Sequence, residues 1–232
     1  MQHRLTPATR MGLSISIATG LYGISFGALS VAAGFSLPQT LALSLLMFTG
    51  GSQFAYVAVA AGGGGGFSAF AAASLLGLRN ALYAVQLKAW LRLRGRKIPL
   101  AAQLTIDEST ATSLGQERPD ERRRGFWVAG IGVYVLWNLF TLLGALLGDA
   151  LGDPRRWGLD GAAVAAFVAL LWPRLAAGQA QAVAVLAALT TLLALPWLPA
   201  GLPILLAAAV AAVLGAWQYQ RQRRRLTERD AD

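Results

Sequence analysis

Charge in this chain is confined to a few short segments, and that constrains every fold open to it. Only 13% of the residues are charged, against about 25% in soluble domains. The uncharged runs between them approach the ~20 residues that a bilayer-spanning helix needs. With 56% hydrophobic residues, the pattern predicts an all-α polytopic membrane protein. The net charge of +9 does not point to nucleic acid. The basic residues gather at the borders of the apolar runs, in residues 88–97, 122–124 and 221–229, as the positive-inside rule expects of cytoplasmic flanks. Cysteine is absent, which excludes disulfides, thiolate metal sites and a catalytic thiol. The one histidine, His3, lies in the tail before the first apolar run and is a poor metal ligand or general base.

Taken in order, residues 1–10 form a short basic tail, residues 11–218 a single transmembrane domain, and residues 219–232 a charged tail expected to be disordered. Both tails are expected to be cytoplasmic, as is a loop at about 91–124. Apolar segments fall at 11–33, 40–61, 67–90, 125–148, 158–172, 179–195 and 201–218, and a run of five glycines at 62–66 reads as a loop. The first segment is longer than the ~7–15 apolar residues of a signal peptide, so it reads as a retained helix. Along it Ser16, Gly20, Gly23, Gly27, Ser30 and Gly34 recur every three or four residues. Such a stripe of small side chains lets another helix approach closely in lipid.

Segment 40–61 is interrupted in its middle by Gly50-Gly51 and the polar pair Ser52-Gln53. A backbone that leaves the helix at membrane depth must be satisfied by protein or by a watery cavity, and half-helix ends offer fixed dipoles to a ligand. A continuous helix using the two glycines for packing is the alternative. Charge topology separates them. If the N-terminus and the 91–124 segment share a side, an even number of crossings must lie between them, yet three apolar segments do. The count is restored if 40–61 enters and leaves on one side, as a hairpin of half-helices bent at Gly50-Gly51. The expected architecture is therefore about six spanning helices plus a broken or re-entrant helix pair at 40–61.

Arg79, at the centre of its segment, is the leading functional candidate, because a charge there costs about 2.5–3.5 kcal/mol on insertion scales. It can grip a carboxylate, with Asn80 adding a hydrogen bond and Tyr83 sharing the face one turn on. A fixed salt bridge to Asp107, Glu108 or Asp160 is the structural alternative. Ser52 and Gln53, as the first residues of a second half-helix, favour an anionic group; helix–helix packing is the competing role. Thr105-x-x-Glu108 matches a capping box, and Asp160 reads either as a helix cap or as a membrane acid. No phosphate loop, HExxH motif, dinucleotide fingerprint or nucleophile elbow occurs, so no enzymatic activity, cofactor or metal is expected.

Four stretches carry a resemblance: GLYGISFGALSVAAG at 20–34, FTGGSQF at 48–54, LRNALY at 78–83 with LTIDES at 104–109, and GLDGAAVAAFVALL at 158–171. In these the chain resembles the AzlC family, the large subunit of bacterial branched-chain amino acid exporters. The resemblance covers about residues 12–215. It implies a secondary transporter that exports branched-chain and related hydrophobic amino acids across the inner membrane. It also implies a small hydrophobic AzlD-type partner, and energy from an ion gradient or the membrane potential rather than ATP. The family's Gly-Gly/Ala-Ser-Gln falls on Gly50, Gly51, Ser52 and Gln53. Its Asn-Leu-Arg-His falls on residues 77–80, where Arg79 is kept but Gly77 and Asn80 replace the asparagine and histidine. The carboxylates Asp107, Glu108 and Asp160 match as well and are expected to serve in gating or coupling. The expected substrate site comprises Gly50, Gly51, Ser52, Gln53, Arg79, Asn80 and Tyr83, with the apolar side chain among Phe54, Tyr56 and Tyr83. A non-transporting scaffold or accessory subunit, to which the small-residue stripe is equally suited, and a permease for another small solute are the alternatives.

Overall fold

The computed structural model describes residues 5–151, 171–198 and 202–229, with positions 156, 161, 165 and 168 between them. Among the described residues the regular structure is helical throughout. Among the described residues three helices are long and apolar enough to cross a membrane: α1 (Pro7–Ala32), α4 (Gly66–Leu91), and α7 (Pro119–Leu151) over Pro119–Gly148. Between them lie two pairs of short helices, α2 (Leu37–Leu46) with α3 (Gly50–Ala61), and α5 (Lys97–Gln103) with α6 (Asp107–Leu114). A 3-10 turn (Trp172–Ala176), α8 (Gly178–Ala194) and α9 (Leu202–Arg229) follow. α8 and α9 pack on each other, and α9 touches α4.

The closest packing in the molecule joins α1 to α7, and the small-residue stripe causes it. A Cβ on Gly12 would lie 2.9 Å from Val128 Cγ1, and one on Gly23 would lie 2.8 Å from the Trp137 carbonyl oxygen. A Cβ on Gly27 would run into the Thr141 backbone; from the other side, one on Gly144 would run into Ile24. Backbones this close gain dispersion contacts that lipid cannot supply, which is how membrane helices associate. The stripe, read from the sequence as a packing surface for another helix, is filled by this chain's own α7. Its last member, Gly34, instead sits at φ +90° in the turn after α1, with nothing near its Cβ position.

Residue numbers rise together along this contact, from Gly12 beside Val128 to Gly27 beside Thr141 and Ala145. The two helices are therefore parallel, and the N-terminus shares a face with the segment preceding α7. The parity argument from charge required that arrangement. The odd apolar segment does break in two. α2 and α3, with 10 and 12 residues, measure about 15 and 18 Å at ~1.5 Å per residue, each short of a ~30 Å hydrocarbon core. α3 packs on α4, and Phe35, just before α2, meets Tyr56 in the middle of α3 with ring centroids 6.0 Å apart, so α3 turns back toward the side from which α2 enters.

Three expectations need correction. The break falls at residues 47–49 rather than at Gly50-Gly51, which are the first two residues of α3. The supposed loop 91–124 holds two helices, and α6 is packed into the bundle. It buries Ser109, Thr110, Thr112 and Ser113, against α7 at positions where only glycine leaves room. Gly125 faces Thr112, and Gly130 faces Leu104 and Ser109. Hydropathy hides such a helix because its buried face is hydroxylic. Finally, the tail expected to be disordered from residue 219 continues α9 as helix to Arg229. Segment 158–172 falls largely outside the described residues.

Replacing Gly27 by leucine should force α1 from α7 and destabilise the fold by at least the ~1–3 kcal/mol typical of overpacking. Thermal unfolding in detergent measures this; an unchanged transition would contradict the close contact. Because the chain lacks cysteine, single cysteines can map the fold across a membrane. Gly64→Cys should label from the face opposite to Arg94→Cys.

Candidate functional site

The break in α2–α3 stands at the mid-depth of all three long helices. Thr49 is extended at φ −157° and ψ 104°; beside it lie Tyr22 of α1, Arg79 of α4 and Trp137 of α7. Each of these residues is close to the middle of its helix. A break here exposes the last carbonyls of α2 and the first N–H groups of α3, and in lipid neither set has water to turn to.

The carbonyls are satisfied by side chains. Gln53, fully buried, donates from Nε2 to the carbonyls of Met47 at 2.8 Å, Leu43 at 3.2 Å and Ser44 at 3.4 Å. Its Oε1 accepts from Trp137 Nε1 at 3.0 Å. Gln103 Nε2 donates to Leu45 O at 2.9 Å, and Tyr134 Oη donates to the same oxygen at 3.3 Å. The α3 end is left open. Thr49 supplies no side-chain cap, and the first helical donor is Gln53 N–H, to Thr49 O at 3.0 Å. The N–H groups of Gly50, Gly51 and Ser52 all precede it.

A cavity of about 330 Å³ opens at this end, within the ~300–1,000 Å³ range of small-molecule sites. Thr49, Gly50 and Gly51 line one side and Arg79 another. Ile106, Asp107 and Glu108, where α6 begins, form the third. Phe48, Phe54, Val133, Trp137, Ala18, Thr19 and Tyr22 complete it as a largely apolar wall. The aromatic part is well packed: Tyr22 stacks on Phe54 at 5.0 Å between centroids, and Phe26 on Trp137 at 6.1 Å. Gly50 and Gly51 are small for a local reason. A Cβ on Gly50 would press on the Trp137 ring at 3.2 Å, and one on Gly51 would lie 2.9 Å from Arg79 Nη2.

Arg79 is paired. Its Nη2 lies 2.8 Å from Asp107 Oδ2, while Tyr83 Oη donates to Asp107 Oδ1 at 2.8 Å. Both charged side chains keep limited exposure, 20% for Arg79 and 15% for Asp107, so the pair borders the cavity instead of being sealed off. Glu108 is the second carboxylate of the cavity, and no ion pair is seen for it among the described residues. Burial raises its pKa above the ordinary glutamate range; a backbone hydrogen bond opposes this, the Asp107 charge adds to it, and Arg79 and a Thr19 hydrogen bond oppose it. Three lining residues also hold buried polar atoms with no hydrogen bond among the described residues, Thr49 Oγ1, Tyr22 Oη and Arg79 Nε.

Six of the expected site residues meet here: Gly50, Gly51, Phe54, Arg79, Asp107 and Glu108. Others are displaced from it. Gln53 props the break open with both ends of its amide engaged, and Ser52 Oγ is buried toward Gly77 rather than lining the cavity. Tyr83 acts at one remove, through Asp107. Asn80 lies off the cavity, with its buried Oδ1 accepting nothing among the described residues. Tyr56 packs on Phe35. The capping box expected at Thr105–Glu108 does not form. Thr105 Oγ1 donates to Ala101 O at 2.7 Å, α6 starts at Asp107, and its N-cap N–H, from Ile106, goes to Ser109 Oγ at 3.1 Å. Asp160 lies outside the described residues. Thr19, Tyr22 and Trp137 escaped the sequence reading, although polar and aromatic groups at mid-span, away from the membrane interfaces where tryptophan and tyrosine concentrate, were a usable signal.

Long apolar helices gathered around a helix break at mid-depth define a polytopic helical membrane protein. The chain belongs to the AzlC family: the family model described as AzlC protein matches residues 14–151. No curated protein and no solved structure matches the chain. The matched region runs from within α1 to the end of α7 and holds every residue of the cavity.

Gln53→Leu keeps the bulk but strands the carbonyls of α2 and the Trp137 N–H. The expected loss is about 1–3 kcal/mol per buried group left unsatisfied, read as a lowered unfolding temperature together with altered Trp137 fluorescence. Unchanged behaviour on both measures would remove Gln53 from its role in the break.

Proposed function

We propose that this protein is a secondary transporter exporting branched-chain or related hydrophobic amino acids across the bacterial inner membrane. One observation carries the reading. A single cavity sets an uncapped helix N-terminus and Arg79 beside two carboxylates and an aromatic wall. A zwitterion with an apolar side chain has the matching parts. Its carboxylate would lie against the N–H groups opening α3 and Arg79, and its ammonium toward Glu108. Its side chain would lie among Phe54, Val133 and Trp137. Binding would thus draw on Arg79 while Tyr83 keeps hold of Asp107.

The same reading makes Glu108 and Asp107 the coupling or gating acids, with Asp160 as a third, and takes energy from an ion gradient without ATP. No enzymatic step is invoked. About six spans are expected in all, the C-terminal segments adding to the three long helices, with both termini cytoplasmic. A small hydrophobic subunit of AzlD type is the expected partner. Since α7 fills the stripe on α1, such a partner would dock elsewhere, and the stripe no longer speaks for a purely scaffolding protein.

The test is transport of labelled leucine, isoleucine and valine by purified protein in liposomes, with and without the small partner. Arg79→Ala should reduce the rate by at least about tenfold, the lower end of a lost charge-assisted hydrogen bond. A folded Arg79→Ala protein that transports at the wild-type rate sinks the site. The raised Glu108 pKa gives a second readout. Its carboxyl is neutral below that pKa and ionised above it, so affinity for the substrate ammonium should rise with pH through it. Glu108→Gln should flatten that rise.

A further inference from the structure

A further cavity lies away from this site, at the far end of α4. It is a groove of about 390 Å³ between the last turns of α4 and helix α5. Val85, Leu87 and Leu91 line it from α4, and Ile98, Ala101 and Ala102 from α5. Its walls are almost wholly apolar, but Lys88 stands in its lining. The chain turns from α4 toward α5 at Arg92, a non-glycine residue in the left-handed region at φ 46°. Lys88, Arg92, Arg94, Arg96 and Lys97 are all exposed around this turn. No Asp or Glu occurs between residues 88 and 106, and none of the five cations takes part in an ion pair seen among the described residues.

Depth decides what such a groove faces. α4 has 26 residues, about 39 Å of helix, against a hydrocarbon core of ~30 Å. Its last turn therefore reaches the headgroup layer, while Val85, 74% exposed, lies toward the acyl chains. An apolar slot that opens toward lipid tails and ends under unpaired cations is complementary to one molecule class. We propose that this groove binds an anionic phospholipid. One acyl chain lies along the groove, and the phosphate rests on Lys88 and the arginines of the α4–α5 turn, as basic pockets at the ends of membrane helices hold anionic headgroups. This site is independent of what the central cavity carries.

Native mass spectrometry of the full chain in detergent, titrated with phosphatidylglycerol or phosphatidylcholine, tests the assignment. Wild type should retain phosphatidylglycerol about tenfold better than phosphatidylcholine. The triple variant Lys88→Gln, Arg92→Gln, Arg96→Gln should lose that preference. Ala102→Trp, at an exposed position, fills the groove with every cation in place and should lower retention of the anionic lipid; circular dichroism checks that both variants keep their helices. Equal binding of the two lipids by wild type overturns the proposal. So does an Ala102→Trp protein that binds as wild type does, since attraction would then be a diffuse surface effect. Displacement of the lipid by glycerol phosphate or by an acidic peptide at similar concentration would also overturn it, because the acyl chain would then contribute nothing.

Discussion

A peptide group in hydrocarbon has no solvent to fall back on, and the architecture of this protein follows from how it meets that constraint at one place. The chain abandons helical geometry for three residues at mid-membrane depth. One side of the gap is closed by a buried glutamine whose amide serves three carbonyls at once and is itself held by a tryptophan N–H. Gln103 and Tyr134, from α5 and α7, finish the task. On the other side no side-chain cap is seen among the described residues, and Gly50 and Gly51, which open α3, line a cavity. The asymmetry matters: the carbonyl end is closed by protein side chains, and the N–H end borders the cavity.

The charges beside the gap obey the same logic. Burying Arg79 alone would be costly, and Asp107 meets it with a 2.8 Å contact. The carboxylate comes from α6, a helix with hydroxyl groups on its buried face, lodged against α7 where glycines leave space. Tyr83 fixes its second oxygen. Arg79 is therefore held by a partner that lies in the cavity wall itself, and a second acid, Glu108, adjoins it. The alternatives posed by the sequence, a ligand-gripping arginine or a structural ion pair, turn out to be compatible. Family membership over residues 14–151 places this arrangement in a transport-related lineage.

Much of this was legible in the residues. Segregated charge gave the membrane class, and the odd number of apolar segments before the basic stretch exposed the hairpin; its polarity is seen in the parallel course of α1 and α7. Gly50, Gly51 and Arg79 stand out because each is anomalous for its surroundings, whereas Asp107 and Glu108 read as a helix cap until the resemblance to the AzlC family raises them. What escaped was set by tertiary contact. Gln53 resembles a ligand-binding residue in sequence, and only the fold shows its amide consumed by α2. α6 resembles a loop, because a helix that buries serine and threonine carries no hydrophobic period. Gly50 and Gly51 open α3 instead of forming the break, and only the fold shows that Trp137 and Arg79 leave no room there for a larger side chain.

The contact between α1 and α7 has a mechanical consequence. Backbones pressed together along most of their length, with α6 wedged beside them, form a stiff block that includes the aromatic wall, Asp107 and Glu108. α4 lies outside that block, packing chiefly on α3 and turning most of its large apolar side chains outward. Arg79 rides on that outer helix, so its bond to Asp107 ties the two parts together at the cavity wall.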